Sequence, residues 1–259
     1  MKQAFVHIHQ LTIGYAKGKT KTVIKQNIDL SIEKGKLVAV IGKNGIGKST
    51  FLKTITRIIP ALSGDIFIKN KALSQCNANE IAQLLSVVLT EKLPPSNLSV
   101  YEIVALGRQP YTNWLENLSE NDRTSIEKAI TVTEISTLTT KKHYEISDGQ
   151  LQKVLIARAL AQDTPLIVLD EPTTHLDLVH KVAVLKLLQK LCKEVHKTIL
   201  YSTHDLDLAI QMADEIIVFT EEAVYKNTPT NLINNGVFEK IFKNEAVYFD
   251  KEKGSFIVK

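Results

Sequence analysis

The sequence predicts an α/β fold with a mostly parallel sheet, an N-terminal antiparallel β subdomain and an inserted helical subdomain. Three observations lead to this prediction. Short apolar runs alternate with longer helical patterns, as in strands that are joined by crossover helices. The first segments instead combine alternating patterns with β-branched residues, which is typical of an antiparallel sheet. Between about residues 94 and 145 the strand patterns disappear while helical patterns remain.

The elements can be assigned in chain order. The antiparallel strands are expected within 5–15 and 23–33. Buried strands of the main sheet are predicted over 37–42, 166–170, 198–203 and 216–219. Helices are predicted over 48–59, 151–162, 178–195 and 205–214. The first of these helices is expected to stop at Pro60, because proline cannot continue a helix.

Two helix starts mark the inserted segment. Ser99 with Glu102, and Ser119 with Asp122, have the spacing of a capping box, in which a side chain and a backbone amide satisfy each other. The tail after residue 221 is mixed, and 228–242 is expected to be helical.

Composition narrows the class of protein. The 259 residues suffice for one large domain or one domain with an inserted subdomain. The net charge of +4 is spread along the chain without a basic block, so we expect no nucleic-acid partner. The two cysteines, Cys76 and Cys192, fit a reducing compartment and give no metal-ligand spacing. No signal peptide and no apolar run near ~18 residues is found, so we expect a soluble protein that reaches a membrane only through a partner.

The segment GKNGIGKST (42–50) carries the first functional signal. Gly42, Gly47, Lys48 and Ser49 match the phosphate-binding loop, whose glycines let backbone amides turn towards phosphate oxygens. The following helix directs its positive N-terminus to the same place. The lysine can reach the β and γ phosphates, and the serine hydroxyl can ligate Mg²⁺. The plainer alternative is a strand–turn–helix corner, but the buried strand before it favours a nucleotide.

The segment PLIVLDEP (165–172) supplies a possible second half of the site. Asp170 ends a buried strand, where its carboxylate could hold Mg²⁺, and Glu171 is placed to polarise an attacking water. The alternative is a strand that merely ends in two acidic turn residues. His204 follows the third strand, and the carboxyl edge of a parallel sheet favours contact with the γ-phosphate over a structural role.

Together these motifs resemble the nucleotide-binding subunit of ATP-binding cassette (ABC) transporters over nearly the whole chain. The phosphate loop looks like Walker A, LIVLDEP like Walker B, THLD (174–177) like the D-loop, ISDGQ (146–150) like the signature motif and His204 like the switch histidine. The resemblance implies a P-loop NTPase (RecA-like) core, ATP and Mg²⁺ as cofactors, and catalysis by Lys48, Glu171 and His204. It implies ATP contacts from Tyr15, Gly42, Lys43, Asn44, Gly45, Ile46, Gly47, Lys48, Ser49 and Thr50. It implies metal contacts from Ser49, Asp170 and Glu91.

The family works as a head-to-tail pair of domains that sandwich two ATP molecules. The resemblance therefore implies a homodimer on ATP binding, in which Ser147, Gly149 and Gln150 contact the partner's ATP and Asp177 lies at the dimer contact. Ser147 and Gln150 also have capping-box spacing, so the plainer alternative is a well-capped helix. Asp148 replaces a glycine of the family motif LSGGQ, and we expect it to point away from the nucleotide.

A second departure lies in SVVLTEKL (86–93), where the family places glutamine at the position of Glu91. The resemblance divides this single domain into a core (1–92 and 158–222), a helical subdomain (93–157) and a C-terminal extension (223–259). Segment 97–123, with its GR-x-P turn, is similar to ATPases of iron–siderophore, haem and cobalamin importers.

That likeness implies two transmembrane permease subunits, an indirect link to a substrate-binding protein and a place at the cytoplasmic face of the inner (plasma) membrane. The alternatives are an ABC ATPase for another substrate and a soluble ABC ATPase of the iron–sulfur assembly type. A DNA-repair or translation factor would need a coiled-coil insertion or a second cassette, and the sequence has neither.

Overall fold

A computed structural model describes residues 4–18, 20–89, 96–112, 117–243 and 246–258 of the chain. Its strands are β1 Val6–Lys17, β2 Thr20–Ile32, β3 Leu37–Gly42, β4 Ser63–Ile68, β5 Lys71–Ala72, β6 Leu85–Val88, β7 Leu166–Leu169, β8 Thr198–Ser202, β9 Glu215–Phe219, β10 Val224–Asn227, β11 Val247–Asp250 and β12 Ser255–Val258. Its α-helices are α1 Lys48–Ile55, α2 Ala78–Leu84, α3 Val100–Ala105, α4 Glu120–Val132, α5 Asp148–Ala161, α6 Leu178–Lys193, α7 Leu206–Met212 and α8 Pro229–Asn234.

The main sheet has the order β10-β9-β3-β8-β7-β6. Its neighbours from β9 to β6 pair in parallel, and only β10 runs antiparallel. Strand β3 lies between β9 and β8, and its alternate side chains enter two separate hydrophobic cores. Burial on both faces explains why this strand is a continuous apolar run. The parallel sheet with flanking helices confirms the predicted fold class.

The N-terminal strands form a second, antiparallel sheet with the order β2-β1-β4-β5. Strands β1 and β2 pair from Val6 opposite Ile32 to Lys17 opposite Thr20, with register shifts between. The buried face of this sheet packs with α1 and one face of the main sheet into one of the two cores. The predicted antiparallel subdomain is therefore confirmed, whereas β4 and β5 were not assigned from the sequence.

The inserted segment forms a helical layer against α5. Helices α3 and α4 begin at the predicted capping boxes of Ser99 and Ser119. Apolar side chains of α3, α4 and α5 form the second hydrophobic core. They pack there on the face of the main sheet that carries Leu37, Ala39 and Ile41. Among the described residues, no helix combines the length and apolarity that a bilayer span requires.

Helix α1 is shorter than predicted, since it ends at Ile55 and not at residue 59. Arg57 adopts a left-handed conformation (φ 57°), which a regular α-helix does not allow. Its guanidinium donates to the Cys76 carbonyl oxygen at 2.6 Å. The left-handed turn at Arg57, three residues before Pro60, therefore ends this helix. Helix α5 also begins earlier than predicted, at Asp148, because Ser147 is its N-cap.

The C-terminal tail differs from the prediction of a helix over 228–242. Helix α8 ends at Asn234, and Gly236 turns the chain with φ 64°, as glycine commonly does after a helix. A short 3₁₀ turn follows over Phe238–Lys240. Beyond it, β11 and β12 form a hairpin that the sequence analysis did not assign.

Candidate functional site

The phosphate loop connects β3 to α1, as predicted. Gly42, Gly45 and Gly47 have φ angles of 149°, 75° and 113°, which side-chain-bearing residues rarely adopt. A β-carbon at Gly42 would lie 2.6 Å from the Phe219 carbonyl oxygen, and one at Gly47 would lie 2.6 Å from Ile24 Cγ2. Conformation and close packing therefore both require glycine at Gly42 and Gly47. The ATP-contact candidates Gly42, Lys43, Asn44, Gly45, Ile46, Gly47, Lys48, Ser49 and Thr50 lie in this loop and the first turn of α1.

Lys48 is buried at the start of α1, and its amine curls back over the loop. Its Nζ donates to the carbonyl oxygens of Gly42 at 2.8 Å and Lys43 at 3.0 Å. Burial lowers the pKa of this amine, while the nearby carboxylates of Glu171 and Asp170 act in the opposite direction. The loop therefore holds the cation beside both acidic residues of the predicted site.

Asp170 follows β7, and one of its carboxylate oxygens accepts hydrogen bonds from two hydroxyl groups. Ser49 Oγ donates to Asp170 Oδ1 at 3.1 Å, and Ser202 Oγ donates to the same atom at 2.6 Å. Ser202 Oγ also accepts the backbone N–H of Glu171 at 2.9 Å. Ser202 is fully buried at the end of β8, and the sequence analysis did not select it. The available signal was its position two residues before His204 in YSTH.

Glu171 and His204 meet in a direct hydrogen bond between Oε1 and Nε2. Thr174 Oγ1 donates to the other carboxylate oxygen at 3.1 Å. Glu171 has a left-handed backbone (φ 51°), a costly conformation for a residue other than glycine, which occurs preferentially at functional sites. The predicted base and the predicted switch histidine thus lie together at the carboxyl edge of the sheet.

Tyr15 lies on β1 and reaches the first turn of α1. Its hydroxyl oxygen is 3.1 Å from Thr50 Oγ1, while half of the side chain stays exposed. The ring therefore borders the phosphate loop and presents apolar surface to solvent. A cavity of about 460 Å³ opens beside the loop and is lined by Gly42, Lys43, Asn44, His204, Leu206 and Phe242.

The signature residues form a separate helix N-terminus. Ser147 caps α5, where the Gln150 N–H donates to Ser147 Oγ at 3.3 Å and the Ser147 N–H donates to Gln150 Oε1 at 3.0 Å. Asp148 is exposed in the first turn. Asp177 caps α6. Within the described ranges, no hydrogen bond joins Ser147, Gly149, Gln150 or Asp177 to the phosphate loop, so these predicted residues form a second group.

The candidate metal ligands are partly described. Ser49 and Asp170 bring a hydroxyl and a carboxylate oxygen together, which are donors that Mg²⁺ accepts alongside substrate phosphates. Glu91, the third candidate, lies outside the described residues. In the part of the chain that is described, no three His, Cys, Asp or Glu side chains converge to hold a metal by themselves.

Comparisons with known proteins agree with this geometry. The family model described as ABC transporter matches residues 25–174. The iron(3+)-hydroxamate import ATP-binding protein FhuC of Bacillus subtilis (strain 168) is 37% identical over 238 residues, which cover 92% of this chain and 87% of that protein.

Two solved structures share the fold. A metal-chelate type ABC transporter in an inward-facing conformation matches with a TM-score of 0.80 and 25% identity, over 98% of this chain and 96% of that chain. A dimeric ATP-binding cassette in a post-hydrolysis state with bound ADP and Pi matches with a TM-score of 0.73 and 28% identity, over 86% of this chain and 98% of that chain. The resemblance inferred from the motifs is thereby confirmed, and the chain belongs to the ABC transporter family as an ATP-binding, ATP-hydrolysing member.

Proposed function

We propose that this ATPase powers an ABC importer for an iron–siderophore, haem or cobalamin-type substrate. The observation that carries the proposal is the 37% identity, over most of both chains, to a protein named for iron(3+)-hydroxamate import. The likeness to a transporter of metal-chelate type supports the same substrate class. The chain also has the GR-x-P turn with Gly107 and Arg108, which makes its helical layer similar to those of such importer ATPases.

The proposed chemistry is the attack of water on the γ-phosphorus of ATP. A bond from the water oxygen to phosphorus forms, the bond from phosphorus to the bridging oxygen of ADP breaks, and ADP and phosphate leave. Glu171 accepts the water proton, and its orientation is fixed by Thr174 and His204. In this role His204 also positions the γ-phosphate.

The phosphate loop provides the binding half of this chemistry. Its amides and the Lys48 ammonium hold the phosphate oxygens, while the exposed ring of Tyr15 stacks on adenine. Ser49 and Asp170 would hold Mg²⁺, with Glu91 as a further candidate, and that ion would neutralise phosphate charge. Ser202 fixes the Asp170 carboxylate and the Glu171 backbone through one hydroxyl.

The second half of each site would come from another copy of the chain. Ser147, Gly149 and Gln150 lie at the N-terminus of α5, where free amides and the helix dipole favour a phosphate of the partner's ATP. Asp177 would lie at the same dimer contact. The dimeric structure of a related cassette supports this arrangement.

The proposed dimer would drive two permease subunits, and through them communicate with a substrate-binding protein. In this proposal the chain is bound peripherally at the cytoplasmic face of the inner (plasma) membrane. We retain the proposed division into a core (1–92 and 158–222), a helical subdomain (93–157) and a C-terminal extension (223–259).

A transport experiment tests the proposed substrate class. In a host strain that lacks this gene, uptake of labelled ferric siderophore, haem and cobalamin would be measured after complementation with wild type or Lys48→Ala. We expect wild type, but not Lys48→Ala, to restore uptake of one of these substrates. Unchanged uptake of all three in the deletion strain would contradict the proposal.

A second measurement separates the importer from a soluble ATPase of iron–sulfur assembly. Affinity purification from detergent-solubilised membranes is expected to recover two permease copies with the tagged chain. Recovery of soluble assembly proteins instead would favour the alternative.

A further inference from the structure

The imidazole of His180 lies between the two motifs that form the second group of site residues. A β-carbon at Gly149 would lie 2.8 Å from His180 Cδ2 and 3.3 Å from His180 Cγ. Gly149 of the signature motif therefore packs directly against this ring, and any larger residue at position 149 would displace the ring. His180 belongs to the first turn of α6, whereas Gly149 belongs to the first turn of α5.

The same side chain also holds the carboxylate of Asp177. Asp177 Oδ1 accepts the His180 backbone N–H at 2.9 Å, and Oδ2 lies 2.8 Å from His180 Nδ1. A carboxylate can only accept, so Nδ1 carries the proton. Hydrogen bonds from the backbone and then the ring of His180 lower the pKa of Asp177. Both oxygens of the D-loop carboxylate are thus fixed by one residue.

We infer that His180 is a positioning residue that joins the D-loop to the signature motif within one protomer. This inference rests on the proposed function, in which both motifs face the partner subunit. His180 would hold Asp177 and Gly149 in fixed positions relative to each other before the dimer forms. Their contacts with the partner subunit and its ATP would then cost less conformational entropy.

Two variants and a control distinguish the contact of the His180 ring with Gly149 from its hydrogen bond to Asp177. His180→Ala removes both side-chain contacts, and His180→Phe keeps a ring against Gly149 without the imidazole donor to Asp177. In both variants the backbone N–H of residue 180 can still donate to Asp177 Oδ1. His196→Asn is the matched control, since His196 is an exposed histidine beyond the opposite end of α6. Its left-handed backbone (φ 56°) tolerates asparagine.

The first readout is ATP-dependent dimerisation, measured by analytical ultracentrifugation in the Glu171→Gln background, for which the proposed function predicts slow ATP hydrolysis. We expect His180→Ala to raise the ATP concentration for half-maximal dimer by about tenfold, within the range of couplings between contacting residues. His180→Phe is expected to weaken dimerisation as well. The double variant His180→Ala/Asp177→Ala should lose less dimerisation free energy than the sum of the losses in the two single variants. Wild-type-like dimerisation of His180→Ala, or strict additivity with Asp177→Ala, would overturn the inference.

The second readout is hydrogen exchange of the nucleotide-free monomer. Amides of residues 147–150 are expected to exchange faster in His180→Ala, and at the wild-type rate in His180→Phe and His196→Asn. Unchanged exchange in His180→Ala would overturn the link to the signature motif. This readout does not depend on ATP, so if the Glu171→Gln protein fails to dimerise, the proposed function fails and exchange alone decides the role of His180.

Discussion

At the scale of single residues, one hydroxyl contacts both acidic residues of the proposed ATPase site. Ser202 donates to the Asp170 carboxylate and accepts the Glu171 backbone N–H. The sequence predicted the two acids because they end an apolar strand. It could not predict Ser202, since the contact depends on the register of two parallel strands, in which Leu169 lies opposite Tyr201.

Replacing Ser202 with alanine tests this organisation. The change removes one hydroxyl donor from Asp170 and leaves the partly buried Glu171 backbone N–H without this acceptor, so we expect a loss of about 1–3 kcal/mol in the free energy of unfolding. Displacement of both acids should also lower kcat by at least about tenfold. Urea denaturation and steady-state ATP hydrolysis measure the two effects.

Ser86→Ala is the matched control for that experiment. Ser86 is a buried serine of β6 whose Oγ lies 3.0 Å from Thr164 Oγ1. Its loss should reduce stability while kcat stays near wild type. An unchanged kcat in Ser202→Ala would show that the hydroxyl does not position the acids.

At the scale of secondary-structure elements, the sequence predicted those elements whose position is set by neighbouring residues in the chain. The apolar run of β3 and the capping boxes of α3, α4 and α5 appear at the predicted residues. The end of α1 and the hairpin of β11 and β12 were not predictable in this way. Helix α1 ends at a left-handed Arg57, whose guanidinium donates to the distant Cys76 carbonyl oxygen. Phe249 and Phe256 of the hairpin pack on Phe238, which lies outside the hairpin.

The buried Arg108 side chain connects the segment after α3 to both α4 and α5. Arg108 Nε donates to Asp122 Oδ1 at 2.8 Å, and its Nη1 donates to the Ala161 carbonyl oxygen at 2.8 Å. Burial would raise the pKa of Asp122, but hydrogen bonds from Ser119 and Arg108 outweigh it and hold the pKa below its usual value. The ionised carboxylate is therefore the form that the fold stabilises.

Asp122→Asn should therefore destabilise the protein at neutral pH by about 3–5 kcal/mol, because it leaves Arg108 buried without its counter-charge. Since the folded pKa of Asp122 is lowered, its contribution is complete above the unfolded pKa of about 3.9 and is lost as pH falls through the folded pKa. The difference between wild type and variant should accordingly shrink on acidification. Urea denaturation at a series of pH values measures this, and a pH-independent difference would contradict the assignment.

Asp148, which replaces a glycine of the family motif at the start of α5, can be tested by substitution. Asp148 is exposed in the first turn of α5, where a carboxylate interacts favourably with the helix dipole. We expect Asp148→Gly to cost up to about 1 kcal/mol of stability, because glycine is a poor helix former. ATP hydrolysis should stay within tenfold of wild type, with Asp148→Asn as the control for charge alone. A rise of more than tenfold in Asp148→Gly would mean that the carboxylate points at the nucleotide.

At the scale of the whole molecule, the predicted site residues of the chain fall into two separate groups. One group surrounds the phosphate loop and is joined by the contacts of Ser49, Asp170, Glu171 and His204. The other group surrounds the starts of α5 and α6. Such a division is what the sequence resemblance implied, and under the proposed function a second copy of the chain would complete each site.

The role of Glu171 is the central claim, and one variant tests it most directly. ATP turnover and molar mass would be measured for purified wild type and Glu171→Gln, with and without ATP. We expect Glu171→Gln to lose at least about 99% of turnover, because a general base is removed, while it still forms a dimer with ATP. Hydrolysis near the wild-type rate in Glu171→Gln would contradict this role.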